Sequence, residues 1–116
     1  MRILKVFASF ATISMLLTGC ASIDVTKTSS AFYNPTDPNT VEILKTRPEK
    51  PFEELGSVTA TGFGSTEEAV MHNGIRAKAA PLGASAVILT SEGIVPEGYG
   101  QYKRWASGVA IRYKAR

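Results

Sequence analysis

The chain is read as a small α+β domain, a four-stranded sheet packed against one helix in the order β-β-α-β-β, preceded by a leader and a disordered tether. Three observations predict it. Residues 84–90 (ASAVILT) are an uninterrupted apolar run of strand length. Residues 105–113 (WASGVAIRY) alternate with the period of two of a strand. Between them in character, Met71, Ile75, Ala79 and Leu82 recur at i, i+4, i+8 and i+11, one apolar stripe on a helix.

In chain order, Arg2 and Lys5 give a positive start, and residues 6–17 (VFASFATISMLL) form an apolar core of the length of a signal-peptide h-region. The run is shorter than the roughly 20 residues of a spanning helix and is interrupted by Ser9, Thr12 and Ser14. Leu17, Thr18, Gly19 and Cys20 close it, with the only cysteine of the chain at the junction. The stretch LTGC resembles the lipobox of bacterial prolipoproteins, in which diacylglycerol alkylates the thiol and the chain is cleaved just before it. That resemblance implies that residues 1–19 are a removed signal peptide and that the mature chain begins at an acylated Cys20, with membrane lipid as its partner. Two or more acyl chains give firm attachment, at about 0.8 kcal/mol per buried CH₂. In such proteins an aspartate after the cysteine typically retains the chain at an inner membrane. Ala21 and Ser22 lack it, so the expected location is the outer membrane, facing the periplasm.

Residues 20–40 then combine the lipidated cysteine with a segment rich in Ser, Thr, Asn, Asp and Pro, which reads as a flexible tether. Phe32 and Tyr33 are expected as loosely packed aromatics within it. The globular domain is assigned to residues 41–116, long enough for one modest core. Residues 41–46 (VEILKT) are a short strand, followed by the breakers Pro48 and Pro51. Residues 54–61 (ELGSVTAT) form a second strand ended by Gly62 and Gly64. Ser65, Thr66, Glu67 and Glu68 match a capping box, which predicts a helix from Thr66. Pro81 makes its last turn irregular, and Gly83 suits a left-handed C-cap. Residues 84–90 follow as the core strand, residues 92–101 as a loop, and residues 105–113 as the last strand. In that strand Trp105, Val109 and Ile111 are the larger apolar payload, so their face is expected to pack the core.

A glycine-ended strand, a capped helix running into Leu82, Gly83 and Ala84, the run Ala86 to Leu89 and the closing Gly108 to Ile111 resemble the small periplasmic α+β lipoproteins grouped around the envelope-stress sensor RcsF. The lipobox and tether are similar in layout. The resemblance implies an architecture and a compartment. Disulfides staple the sensor's domain, and once Cys20 is acylated this chain has no thiol to make one.

Charge and chemistry narrow the functional classes. Loss of Arg2 and Lys5 lowers the formal net charge from +3 to +1, too balanced for a nucleic-acid footprint. His72 is the only histidine, so neither a catalytic dyad nor a metal site has enough partners, and no cofactor is expected. Glu67 and Glu68 are accounted for by the helix start, and Glu53 and Glu54 by a strand edge, rather than by glycoside hydrolysis. The segment from Gly62 to Ser65 lacks the lysine and glycine spacing of a phosphate loop. What remains is residues 94–105 (IVPEGYGQYKRW), where Tyr99, Tyr102, Lys103, Arg104 and Trp105 combine the residue types that anchor interfaces. The expectation is a non-enzymatic binding or sensing lipoprotein with an envelope protein or peptidoglycan as partner. The alternatives are a glycan-processing or glycan-binding accessory protein and a self-associating structural lipoprotein.

Overall fold

A computed structural model describes residues 21–115. The leader and Cys20 lie outside the described residues, and the readings placed on them stay with the sequence. The elements are β1 (Ser22–Lys27), β2 (Glu42–Leu44), β3 (Phe52–Gly64), α1 (Glu68–Ala79), β4 (Ala86–Pro96) and β5 (Tyr102–Tyr113). They build one five-stranded mixed sheet in the order β1-β3-β5-β4-β2, with only β2 and β4 pairing in parallel. The α+β class is as expected. The strand count is corrected from four to five, because β1 comes from the segment read as tether.

The cause lies in residues 22–27. Ile23 and Val25 alternate with Ser22, Asp24 and Thr26, and they pack against the main core while the polar residues face outward. β1 pairs antiparallel with β3 from Ser22↔Thr61 to Lys27↔Gly56. The chain stays attached beyond it: the Thr28 and Ser29 amides donate to the Leu55 carbonyl at 3.0 and 3.2 Å. Thr36 donates its hydroxyl to the Ala84 carbonyl at 2.7 Å and its amide to Ala80 at 2.9 Å.

The core sits between the sheet and α1. Met71, Ile75 and Ala79 are fully buried and form its helical side, as the stripe predicts. Leu55, Val58, Ala60, Phe63, Val87 and Leu89 meet them from β3 and β4. From β5 the contributors are Ala106 and Ala110, so the small-residue face lies under the helix and the expected orientation of this strand is reversed. A helix packed close to a sheet leaves little height above the central strand, and small side chains fit where Trp105 would not. The larger Ile111 and Val109 go to the other face, where they join Ala86, Ile88, Leu44, Phe52 and Tyr113 in a second, smaller cluster. The connection from β2 to β3 covers that cluster, with Arg47 over the Phe52 ring at 4.6 Å and Lys50 over the Tyr113 ring at 4.9 Å.

The helix ends as expected and starts differently. Its 12 residues continue into a three-residue 3-10 turn, Ala80–Leu82, closed by Gly83 in the left-handed region (φ 85°). At the other end α1 begins at Glu68, and the capping box does not form. The Glu67 carboxylate instead accepts the Gly64 amide at 2.6 Å, and the Glu67 amide donates to the Gly64 carbonyl at 3.0 Å. Arg104 occupies the Ser65 carbonyl with Nε and Nη2 at 3.3 and 2.9 Å. Residues 64–67 are thereby held as a turn ahead of the helix.

Candidate functional site

β4 runs to Pro96 and β5 begins at Tyr102, so the first half of the loop expected over residues 92–101 is strand, and residues 97–101 are the turn of a β-hairpin. β2 covers β4 only along Ala86 to Ile88, which leaves the outer edge of β4 without a partner strand from Leu89 to Pro96 among the described residues. β3 accompanies β5 as far as Gly64↔Lys103, and past that point the hairpin stands alone. Its turn is closed by the Glu97 amide on the Gln101 carbonyl at 2.9 Å and the Gln101 amide on the Gly98 carbonyl at 3.0 Å. Gly98, Tyr99 and Gly100 all take positive φ, and Tyr99 is the only non-glycine to do so among the described residues. The glycines supply a backbone conformation that most side chains resist, and Tyr99 is carried at the outermost point.

The five residues singled out in this segment divide into two groups. Tyr99 is fully exposed and Tyr102 is 55% exposed. Ile94 and Val95 across the hairpin are 46% and 43% exposed, and Lys103 is half-buried opposite Val95. These form the presenting surface. Arg104 and Trp105 brace it. Arg104 holds the Ser65 carbonyl and pairs with Glu68 at 3.0 Å. The Trp105 indole lies against Gly93, where an added Cβ would come 3.0 Å from Nε1. The contribution of Ile94 and Val95 was masked in the sequence by the Pro and Gly residues around them, which read as loop.

At the opposite end of the sheet, Tyr33, Glu53, Arg112, Tyr113, Lys114 and Ala115 line an open cleft of about 410 Å³. Glu53 accepts the Tyr33 hydroxyl at 2.8 Å and the Ser29 hydroxyl at 3.2 Å. Arg112 stacks over the Tyr33 ring at 4.4 Å and donates to the Gly83 carbonyl at 3.0 Å. The hydrogen bond to Glu53, then burial, raises the Tyr33 hydroxyl above its ordinary pKa. Burial, then the charge of Glu42, does the same for Tyr113. Tyr33 therefore docks on the domain instead of hanging in a linker, and Glu53 fastens the N-terminal segment. Three distant stretches of chain meet here, a convergence that spacing along the sequence does not reveal.

His72 sits half-buried on α1, and its Nε2 is buried without a hydrogen-bond partner among the described residues. Burial lowers its pKa against the opposing pull of Glu68 and Glu92. Beside it, Lys45 pairs with Glu92 at 2.8 Å. Among the described residues no group of His, Cys, Asp and Glu is placed to hold a metal ion. No helix among them is long and apolar enough to cross a membrane.

No family model matches the chain, and no curated protein sequence matches it. Among solved structures it is similar to a crystal structure of the Francisella virulence factor FvfA. The TM-score is 0.55 at 17% sequence identity, over 78% of this chain and 98% of that one. A likeness at this identity speaks for the fold alone, a small α+β architecture.

Proposed function

We propose that this protein is a lipid-anchored envelope protein that works by contact and not by catalysis, held through acylated Cys20 at the outer membrane and facing the periplasm. The observation that carries the reading is the hairpin tip, where Tyr99, Tyr102, Ile94 and Val95 expose apolar surface that nothing in the domain covers. An exposed apolar patch rimmed by polar residues marks a site of protein or membrane contact. The LTGC stretch supplies the anchor, and the resemblance of the sequence to the RcsF group supports a sensing or accessory role at the envelope. Tethering raises the effective concentration of the domain toward the membrane surface and what lies on it.

Labelling of cells with radioactive palmitate, followed by membrane fractionation, tests the anchor. Wild-type protein is expected to carry label and to sediment with outer membrane, and Cys20→Ala to do neither; unlabelled, soluble wild type overturns the reading. A second reading concerns the cleft, where two tyrosines, a carboxylate and an arginine are the groups that bind sugars by stacking and hydrogen bonding. It assigns the protein a glycan-binding role in the cell wall, and titration with peptidoglycan fragments against Tyr113→Ala tests it.

A further inference from the structure

The hairpin tip and the first of the described residues lie at the same end of the molecule. Ser22 pairs with Thr61, and on the other side of β3 Ala60 pairs with Ala106 and Phe63 with Arg104. Ser22 is therefore level with Trp105 along the sheet. From Trp105 to Tyr102 is about 10 Å at roughly 3.3 Å per residue, and Tyr99 lies farther out in the turn. Cys20 precedes Ser22 by two residues, and two extended residues span at most about 7 Å. An anchor at Cys20 thus reaches no farther along the strand direction than Tyr102.

Resting on the anchored reading above, we propose that the hairpin tip inserts into the headgroup layer of the same bilayer that holds Cys20, so that the domain stands on the membrane at two points. The chemistry of the tip fits that solvent. Tyrosine places an apolar ring and a polar hydroxyl at a membrane interface. Ile94 and Val95 are consecutive in β4, so they point to opposite faces of the hairpin, and both are exposed. A hairpin apolar on both faces is ill suited to one protein groove and well suited to a wedge between lipid headgroups. Glu97 and Lys103 offset one another in charge, which matches a zwitterionic surface. The neighbouring edge is a poorer footing, since β1 exposes Asp24, Thr26 and Lys27. The cleft end is separated from the tip by the 12 residues of β5, about 40 Å at the rise of a strand, and so faces the aqueous side.

The test uses the mature lipidated protein in phosphatidylcholine vesicles that carry a lipid spin-labelled near its headgroup. Acylation consumes the Cys20 thiol, so Tyr99→Cys, Ile94→Cys and Lys114→Cys each offer a single thiol for a fluorophore. Ile94 gives a reporter on paired backbone, independent of the turn geometry at Tyr99. Quenching at both hairpin positions is expected to exceed that at position 114 by about threefold or more, as for groups seated in the headgroup layer. Equal, weak quenching at all three positions on vesicle-bound protein overturns the insertion and leaves the anchor standing. Failure of the lipidated protein to float with vesicles overturns the anchored reading itself, and the insertion with it. Capture of one envelope protein, without lipid, by a photocrosslinker at Tyr102 in cells also overturns the insertion.

Discussion

Replacing Gly56 with alanine tests whether β1 is an integral strand. A Cβ at Gly56 would lie 2.5 Å from the Thr26 carbonyl oxygen and 3.2 Å from the Lys27 Cα, both backbone atoms of β1. Ordinary contact begins near 3.4 Å, so β1 has to retreat by about 1 Å or detach, and overpacking of this kind costs about 1–3 kcal/mol. For a domain of this size each kcal/mol is worth about 4–8 °C, which places the fall in Tm at roughly 5–20 °C. Thermal and urea denaturation read the fall, and amide hydrogen exchange is expected to speed up first in residues 22–27. Were β1 a free tether, the same change would meet no obstacle and would stabilise the strand by about 0.5–1 kcal/mol through the lost flexibility of glycine. An unchanged or raised Tm therefore refutes the pairing.

Two further outcomes follow from the bracing and from burial. Arg104→Met keeps the length of the side chain and loses its bonds to the Ser65 carbonyl and Glu68, which should cost about 1–3 kcal/mol and raise hydrogen exchange in residues 64–67 and 102–104; an unaltered exchange pattern would remove Arg104 as the brace. His72 is held below its ordinary value of 6.5 by burial, with Lys45 and Arg76 adding to the shift and Glu68 and Glu92 opposing it. The unfolded chain therefore binds a proton that the folded one resists, so stability falls as pH drops below about 6.5 and the loss is complete beneath the folded value. Urea midpoints between pH 7.5 and 5.5 should show that fall in the wild type and a flatter course in His72→Gln; identical slopes would exclude His72 as its source.

Where one signal dominated, the chain was legible. The run from Ala86 to Leu89 and the alternation from Trp105 to Tyr113 are both strands, and the stripe of Met71, Ile75 and Ala79 is the buried side of the helix. Gly83 terminates it in the left-handed conformation. The errors came where two signals competed. Residues 22–27 carry a period of two, yet the polar composition around them outweighed Ile23 and Val25. For β5, counting apolar area favoured the Trp105 face, whereas the room beneath α1 decided for Ala106 and Ala110. At the helix start, the capping pattern gave way to a turn over residues 64–67, closed by Glu67 on Gly64 and held in part by Arg104, a residue distant in sequence. Of the interface segment, residue type was readable, but which side chains present and which brace depended on pairing with Gly93 and Ser65.

The sheet order also governs when this chain can fold. β5, the last of the described elements, lies at the centre, between β3 on one side and β4 on the other. Until residues 102–113 are available, β1 with β3 and β4 with β2 are two separate strand pairs, each too small to hold a core. Assembly of the full sheet thus waits for residues 102–113, which join the two pairs into one. A shortened chain that lacks β5 loses the seam joining both halves, and is expected to leave them as exposed, association-prone edges.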